Sequence, residues 1–184
     1  VGTFRRPPRG FSLDRRIRLV RCDVTDRRAV EHVVKQVKPD VIYFLAAQSS
    51  VREAWHDPVE TVEVNLVAGV HFLEILRRSW RKARLLIFSS GTVYGLTHLR
   101  GIKLKERAPL APKDPYGVSK MGLDFFARLY AKVFGVDAVI LRLSNLVGPG
   151  QSAVFSLSNF GYQLAGMEKG RLKPVLQVGS IQAK

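Results

Sequence analysis

Four short apolar runs, each separated from the next by a longer stretch of helical period, constrain this chain more than any other feature. Ile17 to Cys22 (IRLVRC) reads as a strand, with Thr25 or Asp26 as the N-cap of a helical run ending at Val37. Val41 to Ala47 (VIYFLAA) is nearly continuous in apolar residues, the pattern of a strand covered on both faces. A long helical pattern from about Pro58 to Trp80 precedes the run at Leu85 to Ser90. Pro115 to Phe134 has helical period again, and Ala138 to Leu143 (AVILRL) closes the series. Strands alternating with helices imply right-handed βαβ crossovers and a parallel sheet between helical layers. The expected fold is α/β, a doubly wound parallel sheet over residues 1–150. After Gly150 the pattern loosens into a helix near Phe160 to Glu168 and a strand at Pro174 to Val178, expected to open a second region over 151–184.

The 184 residues suffice for one ordinary domain, and 46% apolar with 24% charged residues is the balance of a chain that buries a core. No long uncharged apolar run exists: the best candidate, Val62 to Leu76, contains Glu63, Asn65, His71 and Glu74. A transmembrane helix is therefore not expected. The single Cys22 excludes an internal disulfide framework, and no His/Cys cluster has zinc-like spacing, so no metal is expected. The expected compartment is cytoplasmic.

Lys and Arg number 30 against 15 acids, a formal charge of +15. Nine arginines lie within Arg5 to Arg28, and Arg77, Arg78, Arg81, Lys82 and Arg84 end the long helical pattern, where cations suit the helix dipole. No aromatic residues alternate with the basic ones as a base-stacking surface would require. Solvated faces and affinity for a phosphorylated small molecule are expected ahead of nucleic-acid binding.

In such sheets ligands sit beyond the carboxyl ends of the strands. Those ends carry Asp23, Ala46-Ala47-Gln48-Ser49, Ser89-Ser90-Gly91-Thr92 and Ser144-Asn145. The sharpest signal is Tyr116-Gly117-Val118-Ser119-Lys120, with Pro115 as a helix-start residue. Tyr and Lys at i and i+4 share a helix face. A nearby ammonium favours phenolate and is expected to bring the Tyr116 pKa toward the working range. With Ser90 at the preceding strand end, the three form a proton-transfer unit for a carbonyl or hydroxyl.

These segments resemble the extended short-chain dehydrogenase/reductases, the NAD-dependent epimerase/dehydratase family acting on nucleotide sugars. The resemblance implies a Rossmann-like fold and assigns catalysis to Ser90, Tyr116 and Lys120. It places Asp23 and Val24 at the adenine, Ala46, Ala47 and Gln48 under the cofactor, and Asn65 near it. Ser49, Thr92 and Asn145 fall at substrate positions. Arg5 and Arg6, just past the strand that would come second, stand where an Arg accepts a 2′-phosphate, favouring NADP with NAD as the alternative. None of the 15 glycines forms the glycine-rich turn that holds a pyrophosphate. The expectation is a chain truncated at both ends, without the first βα unit and the later substrate segment.

Asn145 to Gln151 and the residues after it most resemble GDP-4-dehydro-6-deoxy-D-mannose reductases, implying reduction of a GDP-linked keto sugar and a homodimeric whole protein. A GDP-mannose 4,6-dehydratase is disfavoured, because it needs a carboxylate where Thr92 stands. A nucleotide-sugar 4-epimerase is the runner-up, and an inactive basic fragment binding polyanions is the non-enzymatic alternative.

Overall fold

The computed structural model describes residues 1–5, 14–80, 82–95 and 104–179. They fall into two units, Val1–Ser144 and Asn145–Lys184, divided ahead of the boundary expected at Gly150. In the first, β1 (Gly2–Phe4) and β2 (Leu19–Arg21) lead to α1 (Arg27–Val37) and β3 (Val41–Phe44). Then come α2 (Val51–His56), α3 (Pro58–Val62), a π turn at Glu63–Val67, and α4 (Ala68–Ser79). β4 (Arg84–Ser90), a 3₁₀ turn at Gly91–Tyr94, α5 (Pro115–Phe134) and β5 (Ala138–Leu143) complete it.

Every strand pair among the described residues is parallel, as the alternating periods require, but the strands form two sheets, β1-β2 and β3-β4-β5. β1 and β3 do not pair. An apolar cleft of about 520 Å³ is lined by Gly2 and Thr3 of β1 and by Ile42 and Phe44 of β3, with Val30, Val34 and Phe72. This corrects the expectation that the Val41 run is covered on both faces. Phe44 is buried against Phe72, ring centroids 5.2 Å apart, whereas Tyr43 and Leu45 are 62% and 66% exposed. Among the described residues, only one face of β3 has helices packed on it.

Local chemistry explains where the helices begin and end. Asp26 accepts hydrogen bonds from the Arg28 and Ala29 amides and starts α1. Asp114 does the same for Gly117 at the head of α5, with Pro115 in the first turn and Gly135 at φ 68° ending the helix. Helix α2 was not anticipated. Its signal was present as Ser50 and Glu53, the spacing of a capping box, and Ser50 Oγ does accept from the Glu53 amide.

Leu73, Leu76, Leu85, Ile87 and Leu123 are fully buried where α4 and α5 cover β4. A second cluster, Cys22, Val30, Val34 and Ile75, joins α1 to α4. Helices α4 and α5 approach closely because residue 69 is glycine: a Cβ there would lie 2.5 Å from Leu123 Cδ1.

In the second unit α6 spans Ser156–Glu168. The strand expected at Pro174 to Val178 is absent among the described residues. Gln163 takes a strand partner's place, its side-chain amide donating to the Gln177 carbonyl (2.9 Å) and accepting from the Gln177 amide (2.7 Å). Among the described residues no helix is long and apolar enough to cross a membrane, and no cluster of His, Cys, Asp or Glu could hold a metal ion.

Candidate active site

Parallel pairing brings the carboxyl ends of β3, β4 and β5 to one edge, and the first turns of α5 meet it there. Ser90 ends β4 and caps the following 3₁₀ turn, its Oγ accepting from the Thr92 amide (3.2 Å) and from Thr92 Oγ1 (3.0 Å). The Tyr116 phenol, in the first turn of α5, lies beside Ser90, whose hydroxyl favours its ionised form. One helical turn on, Lys120 is buried, with Nζ donating to the Phe88 carbonyl at 2.9 Å and lying 5.9 Å from the Tyr116 ring centroid. The structure thus brings together Ser90, Thr92, Tyr116 and Lys120.

Electrostatics departs from the expectation of a lowered phenol pKa. Burial pushes Tyr116 above the ordinary tyrosine value of 10; the Ser90 hydroxyl opposes this, and the Asp114 carboxylate adds to it. Burial also lowers Lys120 to about 8. The Lys120 charge does not offset the effect of burial on the phenol. The phenol is therefore protonated at neutral pH, equipped to give a proton rather than to take one.

The Lys120 shift makes a stability prediction. The unfolded chain holds the lysine proton up to about pH 10.5, while the folded chain releases it near pH 8, so stability rises with pH between those limits. The penalty of burying the charge is fully present below pH 8 and amounts to about 3 kcal/mol. Urea unfolding of wild type and Lys120→Met from pH 7 to 10.5 should show the difference between them changing by that order in favour of wild type. Parallel curves would show that Lys120 carries no such burden.

A second group fixes the loop after β3. Asn65, buried in the π turn, accepts from the Gln48 amide (2.8 Å) and donates to the Gln48 carbonyl (2.9 Å) and to Ser119 Oγ (3.1 Å). Ser119 Oγ donates to the Tyr116 carbonyl at 2.7 Å. The Gln48 side chain donates to Thr61 Oγ1 at 3.0 Å. Asn65 is thus a clamp between the Ala46–Ala47–Gln48 loop and α5. Ser119 and Thr61 were not singled out in the sequence, since a small hydroxyl on a helix carries no signal until its partner is known.

A cleft of about 220 Å³ lies at the ends of β1 and β2, lined by Arg5, Asp23, Val24, Ala46 and Ala47 among others. Asp23 accepts from the amide and hydroxyl of Thr25, which with the nearby Arg5 charge keep its carboxyl below the usual range. Arg5 pairs with Glu60 at 3.5 Å. Arg6 lies outside the described residues. Ser49 is exposed, and Asn145 belongs to the second unit, where it is also exposed.

A family model described as GDP-mannose 4,6 dehydratase matches residues 6–184. The GDP-6-deoxy-D-mannose reductase of Pseudomonas aeruginosa is 32% identical over 143 residues, covering 78% of this chain and 47% of that protein. Among solved structures, RMD from Pseudomonas aeruginosa complexed with NADPH superposes with a TM-score of 0.76 at 28% identity, covering 84% of this chain and 53% of that one. The NAD complex of UDP-glucose 4-epimerase from Thermus thermophilus gives a TM-score of 0.78 at 30% identity, covering 86% and 50%. The chain spans about half the length of the curated relatives it matches.

Proposed function

The chain belongs to the GDP-mannose 4,6-dehydratase family of extended short-chain dehydrogenase/reductases, and from that membership we propose that the whole protein reduces a GDP-linked 4-keto-6-deoxy sugar with NADPH. One observation carries the direction of the reaction: the group beside Ser90 and the protonated Tyr116 is the Thr92 hydroxyl, not a carboxylate. Dehydration requires a base to remove a carbon-bound proton, and a neutral hydroxyl cannot serve. Reduction, its hydride supplied by the nicotinamide cofactor, requires of the protein's side chains only a proton donor.

The residues fit the two ends of a dinucleotide. Asp23, Val24, Ala46 and Ala47 would hold the adenosine end, with Arg5 in reach of a 2′-phosphate, and Lys120 the nicotinamide ribose. The NADPH of the Pseudomonas aeruginosa structure supports the choice of NADP over NAD. The cofactor, when bound, supplies the hydride. Ser90 polarises the carbonyl and Tyr116 gives its proton to the oxygen that becomes negative. Asn65 keeps the loop at Gln48 in place beneath them.

Whole protein supplied with a GDP-4-keto-6-deoxyhexose should consume one NADPH per 6-deoxy sugar formed. With GDP-mannose it should give no keto product, and efficient dehydration there would overturn the assignment. The likeness to the Thermus thermophilus enzyme favours 4-epimerase as the second reading. That activity would interconvert sugars with no net loss of cofactor.

A further inference from the structure

Arg142 lies on β5, away from the groups so far described, yet its guanidinium reaches both halves of the site. Its side chain is 8% exposed, and its Nε donates to Oδ2 of the fully buried Asp124 at 2.7 Å. Nη1 donates to the Tyr94 hydroxyl at 2.8 Å and to the Glu106 carbonyl at 2.7 Å, and the guanidinium carbon is 5.1 Å from the Tyr94 ring centroid. Asp124 also accepts from Arg128 Nε at 2.8 Å. Tyr94 closes the turn that Ser90 opens. Asp124 stands on α5 one turn beyond Lys120 and two beyond Tyr116.

We propose that Arg142 is a positioning residue, holding the Ser90 turn and helix α5 in register so that Ser90 reaches the Tyr116 phenol. This rests on the reading of Ser90 and Tyr116 as the proton-donating pair. Stability alone does not account for the arrangement. A buried ion pair seldom outdoes well-packed apolar side chains, and here Nη2 is buried with no hydrogen-bond partner. A planar fork supplies direction instead, because its bonds fix the distance between turn and helix, where apolar contacts would let one slide on the other.

The test uses the whole protein carrying Tyr94→Phe, which removes one hydroxyl and little volume, and Arg142→Lys, which keeps the charge and loses the fork. Isotope-labelled tyrosine NMR, with Tyr116→Phe to assign the resonance, reads the Tyr116 pKa without any substrate. In Tyr94→Phe with an unchanged urea midpoint, that pKa should rise by about half a unit or more as Ser90 draws away from the phenol. With the keto sugar, kcat should fall about 10-fold while the KM for NADPH stays constant. An unmoved Tyr116 pKa in folded Tyr94→Phe, or full activity in Arg142→Lys, would overturn the proposal. A moved pKa in a protein whose wild type does not reduce the sugar would support the positioning role and sink the functional assignment instead.

Discussion

Tyr116→Phe should lower kcat of the whole protein by about 10²–10⁴-fold, the usual cost of losing a general acid. The ring stays and only its hydroxyl goes, so neither the half-buried packing of residue 116 nor the Lys120 contact with the Phe88 carbonyl is disturbed. Cofactor affinity should change little, because the ribose partner is Lys120. Single-turnover kinetics beside an NADPH titration separates the two quantities. Turnover like that of wild type would remove Tyr116 from the chemistry. A joint loss of affinity and rate would assign the phenol to binding.

Gly95→Ala should destabilise the protein by about 4 kcal/mol or more, a value reserved for backbone conflicts and large core defects. Gly95 has φ 57° and ψ 4°, a left-handed conformation that costs an alanine about 1 kcal/mol. The larger part comes from space. A Cβ at this position would lie 1.8 Å from the Ala111 carbonyl oxygen, and that atom is main chain, held close by the hydrogen bond from the Ala111 amide to the Val93 carbonyl. One of the two segments must move, and the one carrying Ser90 and Thr92 is a turn away. Chemical denaturation measures the stability. A loss below about 1 kcal/mol would show that the two segments separate freely.

What the sequence made legible was local. α5 and β5 were readable to their ends because Pro115, Gly135 and a run apolar but for Arg142 mark them. Tyr116 and Lys120 were readable as a pair because one turn of helix separates them. The absence of the Pro174–Val178 strand was not readable, since an extended apolar segment looks the same whether another strand or the Gln163 amide accepts it. Arg142 and Asp124 were invisible for a related reason. They meet across two elements, and each alone reads as a surface charge. The Tyr116 pKa went against expectation because counting neighbouring charges omits burial, which here acts on phenol and ammonium together.

The π turn at Glu63–Val67 also bears on how changes in chain length would be tolerated. A π turn holds one residue more than the α turn it replaces. Deleting one residue there would leave the helix continuous, closing the wide turn to an α turn while α3 and α4 keep their relative orientation. Thr61 would keep its place against the Gln48 side chain, but Asn65, inside the turn itself, could no longer face both Gln48 and Ser119. Such a chain would fold its helix undisturbed and lose its clamp. For the fold the extra residue is redundant; for the site it is a counted position.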